Sequence, residues 1–363
     1  MTKGTRLELH LPHLRHNLTQ IRQRLKPETK MLAVVKSFAY GADAVAISRC
    51  LVDEGIDYLG VAYVAEGIAL REAGIEIPIL VLHPQTHELQ RMVAHQLEPS
   101  VYGWHVLDAL QRVVEKQGVR AYPIHLKFNT GLNRLGFSID QAQAVYKQIE
   151  SSHLKVQGVL SHLAATEDPD EKNFTQQQLE DFSTLIPVFG DLPMYHVLNT
   201  SGIFNYPEAH YDMVRSGIGL YGYGNASDIS AQLKPVATLK THISQIHEIS
   251  PGNSVGYNRG FVASKTTRSA TLPLGHADGI GRQYGKGKGA VWIHGHKAPI
   301  LGNVCMDMIM VDVTEIECAE GDEVIVFGLP GQSAEAFAEQ AETISYEILT
   351  AISQRVKRVI IDS

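Results

Sequence analysis

Lys36 closes the apolar run MLAVV, so an aliphatic amine stands where a buried strand ends. An amine that is partly desolvated and close to other cations holds its proton less tightly, and a neutral lysine attacks an aldehyde to form a Schiff base. A lysine capping a buried strand is also an ordinary solvated strand end, and Lys36 alone does not separate the two. Tyr40 and Gly41 follow at a spacing that lets a phenol reach back over the same strand end. His162 also ends an apolar run, where by itself it reads as a hydrogen-bonded core histidine. Gly217 lets backbone come close to an anion, although a turn glycine looks the same. Other histidines do not assemble a metal site. His10, His13 and His16 straddle a strand and a helix start, whereas a zinc pair on one helix wants i, i+4 spacing with a carboxylate partner. His294 and His296 share a strand face but lack a third ligand. GKGKG at 285–289 and YGYG at 221–224 are too short for a nucleotide loop.

These residues need a frame. From residue 5 to about residue 220, short apolar runs alternate with segments of helical period: LELHL, MLAVV, YLGVA, IPILVL, PIHLKF, VQGVLSHL and MYHVLN each come before or between such segments. About eight such units in ~220 residues predict a (β/α)8 barrel, with chemistry at the carboxyl ends of its strands. A doubly wound open sheet is the alternative. After Pro235 the runs SATLPLGH, AVWIHG, APILGNV, MIMVDV and EVIVFG, rich in β-branched residues and punctuated by Gly and Pro, predict a mostly antiparallel β domain. The expected division is 1–235 for the barrel and 236–363 for the β domain.

Composition agrees with two domains and narrows the partners. A chain of 363 residues with 44% hydrophobic content exceeds what one core usually organises. A net charge of −7 with scattered Lys and Arg offers no face for nucleic acid. Cys50, Cys305 and Cys318 are odd in number and widely spaced, as expected of reduced thiols. No apolar run approaches the ~20 residues that span a bilayer, and the polar amino terminus is no signal peptide. A cytoplasmic protein is expected.

The segment AVVKSFAYG resembles the lysine motif of the alanine racemase family, and further motifs of that family follow in order. They are HLKFNTGLNRLGF (125–137), GVLSHLA (158–164), HVLNTSG leading into YDMVRSGIGLYG (196–222), SVGYNRGF (254–261), PLGHADGIGR (273–282), GNVCMDM (302–308) and ISYE (344–347). The resemblance covers nearly the whole chain and both domains.

The resemblance implies a homodimer that interconverts L- and D-alanine with pyridoxal 5'-phosphate, supplying D-alanine for peptidoglycan. Lys36 would hold the cofactor as a Schiff base and serve the D-enantiomer. Tyr257, contributed by the partner chain's β domain, would serve the L-enantiomer, and a phenol with an ordinary pKa near ~10 must be tuned downward for that task. His162 would hydrogen-bond that phenol. Arg215 would face the pyridine nitrogen and keep it unprotonated, a weaker electron sink that limits transamination. Its plain alternative is a buried salt bridge. Thr200, Gly217, Ile218, Tyr40 and Tyr346 would contact the phosphate; Arg134 and, through its backbone, Met306 would hold the substrate carboxylate. Lys127 corresponds to a lysine often carbamylated in the family. Three positions depart from the pattern: His276 replaces a tyrosine at the active-site entrance, Asn129 an aspartate, and Ala42 a histidine.

A broad-specificity or serine racemase would share all these residues. A decarboxylase on the same fold would need an acid where Arg215 lies. A non-catalytic pyridoxal-phosphate carrier would lack the β domain that bears Tyr257.

Overall fold

The computed structural model describes residues 4–191 and 193–362. The apolar runs from MLAVV onward form eight parallel strands: β2 (Lys30–Val34), β3 (Tyr58–Val61), β4 (Ile79–Val81), β5 (Glu98–Val101), β6 (Tyr122–Lys127), β7 (Leu154–Leu160), β8 (Met194–His196) and β9 (Met213–Ser216). Their order is β8-β7-β6-β5-β4-β3-β2-β9. The ring closes between β8 and β9 through two backbone bonds, Asp212 N–H to the Tyr195 carbonyl (3.2 Å) and Arg215 N–H to that of Leu198 (3.1 Å). This is a TIM-type (β/α)8 barrel. Helices follow the strands because the intervening segments carry one apolar stripe each. In Trp104–Lys116 that stripe is Val106, Leu107, Leu110 and Val114, all buried.

The first apolar run corrects the strand count. LELHL, grouped by sequence with the βα units, is β1 (Arg6–His10), and it lies in the β sheet of the C-terminal region instead. It pairs antiparallel with β10 (Ala237–His242) and parallel with β19 (Lys357–Ile361). The barrel strand made up for it is β9, inside YDMVRSGIGLYG. A short apolar run states that a strand is buried, not which sheet it joins. Glu8 in β1 is buried because Lys240 (3.0 Å) and Arg6 (2.8 Å) pair with it.

The chain falls into two compact units, one of Arg15–Ala39 with Ala44–Leu233 and one of Met1–Leu14, Tyr40–Asp43 and Lys234–Ser363. The second is built on a mostly antiparallel nine-stranded sheet in the order β11-β14-β17-β16-β15-β18-β10-β1-β19. Its remaining strands are β11 (Gln245–Ile249), β12 (Ser254–Val255), β13 (Phe261–Val262), β14 (Thr267–Leu272), β15 (Ala290–Ile293), β16 (His296–Leu301), β17 (Ile309–Asp312) and β18 (Glu323–Phe327), with β12 and β13 forming a separate ribbon. Among the described residues no helix is long and apolar enough to cross a membrane.

Candidate active site

β2 carries the chain to Lys36, and the backbone then turns in an unusual way. Ser37, Phe38, Ala39 and Tyr40 all have left-handed φ values (53°, 56°, 55° and 55°), and Gly41 follows at 78°. Each non-glycine residue there costs roughly 1–2 kcal/mol, so the turn must be held from outside. Glu66 does much of this: its carboxylate accepts from the amides of Ser37 (2.6 Å), Ala62 (2.7 Å) and Tyr63 (3.1 Å). Ala39 N–H also bonds to the Val35 carbonyl (2.9 Å). Gly41 has no substitute, because a Cβ would stand 2.0 Å from the Leu349 carbonyl oxygen. The same approach sets Tyr40 beside Tyr346, with ring centroids 5.9 Å apart. Burial, reinforced by Tyr346, pushes the Tyr40 phenol well above its usual range, so it remains a hydrogen-bond donor.

Four cations share the neighbourhood of the Lys36 strand end. Burial lowers the Lys36 pKa, and Arg134 lowers it further against an opposing pull from Glu66. Lys127, the last residue of β6, is pushed down to about 8 by burial and then by Arg215, Arg134 and Lys36. Burial alone brings Arg215 down to about 10. Among the described residues, none of the four forms an ion pair. The buried salt bridge considered for Arg215 is therefore absent from the described residues.

This cluster has a measurable cost. Lys127 titrates near 8 when folded and near its ordinary value of 10.5 when unfolded, so between these values the unfolded chain binds the extra proton. Stability is lost as pH falls through that window and stays lost below it. Lys127→Met is expected to stabilise the cofactor-free, uncarbamylated protein at pH 7 by up to about 3 kcal/mol, with the gain vanishing toward pH 10.5. Urea unfolding at pH 7 and pH 10 checks this, and an equal gain at both would refute it.

Arg215 is wired to backbone and imidazole. Nη1 donates to the His196 carbonyl (2.8 Å) and to His196 Nδ1 (3.0 Å). Nη2 donates to the carbonyls of Ser161 (2.7 Å) and Val197 (3.0 Å) and to His162 Nδ1 (3.1 Å). A guanidinium cannot accept, so the His162 proton sits on Nε2. Burial, followed by Arg215, Arg134 and the two lysines, holds His162 far below the usual imidazole range. Arg215 Nε–H has no partner among the described residues and remains available.

Thr200 Oγ1 lies 3.3 Å from the Gly217 amide and 3.2 Å from that of Gly219. The next amide, Ile218 N–H, belongs to a buried residue and has no acceptor among the described residues. An orphaned buried amide is costly and fits a site made for an anion.

Arg134 is carried by a loop closed at its base, where Asn129 N–H bonds to the Phe137 carbonyl (2.8 Å) and Phe137 N–H to that of Lys127 (2.9 Å). Asn129, the departure from the family aspartate, still accepts from the amides of Gly131 (3.2 Å) and Asn133 (2.9 Å), work that a carboxylate would also do. Gly136, at φ 139°, would place a Cβ 2.5 Å from the Asn129 nitrogen. On the role that the resemblance implies for Arg134, holding the substrate carboxylate, Gly136→Ala is expected to displace Arg134 and raise KM for the substrate at least about tenfold, while cofactor affinity measured by absorbance titration is retained.

Tyr257, Met306, His276 and Tyr346 lie in the unit that contains the nine-stranded sheet. Tyr257 starts a short turn, Tyr257–Arg259, and is 71% exposed in the single chain; Asn303 fixes its carbonyl at 2.9 Å. The exposed His276 lies in the turn His276–Asp278, which zips onto the Met306 loop through His276 N–H to the Cys305 carbonyl and Ala277 N–H to that of Met306, both 3.0 Å. The Met306 amide has no partner among the described residues. Arg355 braces both loops by bonding Asp278 (2.8 Å) and Asp307 (2.7 Å).

Sequence reasoning passed over Glu66, Ser161 and His196. For His196 the signal was present: a polar residue inside MYHVLN, a strand buried on both faces, has to point into other protein.

Residues 9–225 match the family described as "Alanine racemase, N-terminal domain" and residues 236–360 match "Alanine racemase, C-terminal domain". The alanine racemase of Halothermothrix orenii is 37% identical, across 99% of this chain and 97% of that protein. The solved alanine racemase of Clostridium difficile superposes with a TM-score of 0.94 at 31% identity, covering 100% of this chain and 97% of that one. That of Bartonella henselae, solved with covalently bound pyridoxal phosphate, has a TM-score of 0.91 at 30% identity and covers 99% and 100%. With both domains matched and the barrel, the β sheet and the lysine turn in place, this chain belongs to the alanine racemase family of isomerases.

Proposed function

We propose that this chain interconverts L- and D-alanine with pyridoxal 5'-phosphate fixed on Lys36. The observation that carries the reading is the group of Lys36, Lys127, Arg134 and Arg215, gathered without a paired carboxylate among the described residues. Such a group suits a phosphorylated cofactor and a substrate bearing a carboxylate. When bound, the cofactor supplies the electron sink that makes the substrate's α-proton acidic.

The chain's own residues do the rest. Lys36, with its lowered proton affinity, forms the covalent link and then moves a proton on one face of the substrate. Tyr257 of a partner subunit moves the proton on the opposite face, which makes the working unit a homodimer. His162, neutral and protonated at Nε2, donates to that phenol oxygen and favours its ionised form. Arg215 would offer its unused Nε–H to the ring nitrogen of the bound cofactor, and because a guanidinium only donates, that nitrogen would stay unprotonated. Thr200 and the amides of Gly217 and Ile218 hold the phosphate, with Tyr40 and Tyr346 adding phenolic donors. Arg134 and the Met306 amide take the substrate carboxylate. Lys127, neutral to a useful extent near pH 8, reacts with carbon dioxide to give a carbamate and a released proton, and this anion orients Arg134. His276 stands at the substrate entrance. The product is D-alanine for peptidoglycan, made in the cytoplasm.

The test is an absorbance scan of the purified protein before and after borohydride, followed by mass mapping of the reduced adduct. A visible band lost on reduction, with the added mass on Lys36, is expected. Colourless protein that takes up no pyridoxal phosphate and leaves enantiopure alanine unchanged ends the proposal.

A further inference from the structure

The barrel interior holds a buried polar line of which the chemistry above uses Arg215 alone. Glu98 opens β5, His125 lies in β6, His196 ends β8 and Arg215 lies in β9. Both imidazoles are fully buried, and Glu98 and Arg215 nearly so. Arg215 Nη1 is 3.0 Å from His196 Nδ1, His196 Nε2 is 3.0 Å from His125 Nδ1, and His125 Nε2 is 2.8 Å from Glu98 Oε2. To join β6 to β8 the line must pass β7, and Gly158 of β7 clears the way. A Cβ there would lie 2.3 Å from His125 Nδ1. The β6–β7 register also shifts at this level, between Ile124 and His125.

With both imidazoles neutral, a single proton arrangement makes every bond. Arg215 only donates, so His196 Nδ1 accepts and the His196 proton is on Nε2. That proton goes to His125 Nδ1, which places the His125 proton on Nε2, where the Glu98 carboxylate receives it. A guanidinium has no lone pair to offer and a carboxylate no proton, so both ends impose the same direction. Hydrogen bonds in series polarise one another in a buried setting. Burial, then Arg215 and His125, keeps His196 far below the usual imidazole range, consistent with a neutral ring.

We propose that Glu98 and His125 are positioning residues: by anchoring the His196 ring through its Nε2–H they aim the Arg215 guanidinium and link this otherwise unpaired buried cation to a carboxylate. The consequence for catalysis rests on the assignment of Arg215 to the cofactor ring nitrogen, but the hydrogen-bonded line does not.

The test uses the full chain with 15N-labelled histidine, with and without pyridoxal phosphate, read by long-range 1H–15N correlation. Both imidazoles are expected as Nε2–H tautomers in either form, and an Nδ1–H signal from His125 or His196 in the unsubstituted protein overturns the proposal. Glu98→Met removes the terminal acceptor and leaves the His125 Nε2–H unpaired; it should move the His125 Nε2–H resonance and lower kcat on the order of tenfold with KM for alanine unchanged, and the absorbance band of the bound cofactor should move. Glu98→Gln, which keeps an accepting oxygen, should restore resonance, band and rate. A Glu98→Met protein with an unmoved His125 Nε2–H resonance and the unsubstituted kcat overturns the proposal as well. If that variant does not fold, the unsubstituted spectrum still decides. If the unsubstituted protein binds no cofactor, the proposed function fails while the tautomers continue to test the line.

Discussion

Lys36→Arg is expected to lower alanine racemisation by at least roughly ten-thousand-fold in both directions while the fold persists. The substitution keeps a positive charge among Lys127, Arg134 and Arg215, so the electrostatic load of the cluster is unchanged. What it removes is the chemistry, since a guanidinium stays protonated and neither attacks an aldehyde nor takes up a proton at neutral pH. The left-handed turn is held by backbone amides and Glu66 rather than by the Lys36 side chain, so the melting temperature should shift by no more than a few degrees. The informative rival is Lys127, an amine already pushed down to about 8 and therefore a competent nucleophile. Borohydride followed by mass mapping separates them. Loss of the reduced adduct in Lys36→Arg supports the assignment, whereas an adduct that persists on Lys127 would move the cofactor to the other strand end.

How far the sequence could be read depended on what kind of contact was involved. The barrel was legible because strands buried on both faces, separated by segments with one apolar stripe, leave few architectures open. The membership of Arg6–His10 was not, since Leu7 and Leu9 are equally buried in either sheet and the partners that decide lie more than two hundred residues away. At the site, Lys36 was marked by its place at a strand end, and Arg134 by the resemblance of its motif. The left-handed run from Ser37 to Tyr40 left no mark, because none of those residues prefers positive φ and the conformation is imposed by Glu66 and by the helix Ser345–Ala351 against Gly41. Glu98 and His125 were hidden for a different reason: they sit on neighbouring strands, their link to His196 passes over β7, and only Gly158, one glycine in an apolar run, hints that space was needed there. Local preference therefore named the elements, while the polar interior was set by contacts with no sequence period.

Tyr257→Phe should abolish proton removal from L-alanine selectively, lowering deuterium exchange at its α-carbon by roughly 10²- to 10⁴-fold and sparing exchange from D-alanine. The side chain is largely exposed in the single chain, so loss of one hydroxyl costs no core packing and the fold is expected to be unchanged. Equal loss from both enantiomers would argue against two separate bases. A mixing experiment then asks where the phenol comes from. In a two-fold dimer whose sites each combine Lys36 of one subunit with Tyr257 of the other, a hybrid of Lys36→Arg and Tyr257→Phe chains contains one intact site and one doubly defective site. Two inactive preparations unfolded, mixed in equal amounts and refolded should therefore regain roughly a quarter of the unsubstituted activity, because half of the dimers are hybrids with one working site each. If both residues of a site came from the same chain, every site in the mixture would carry one defect and no activity would return.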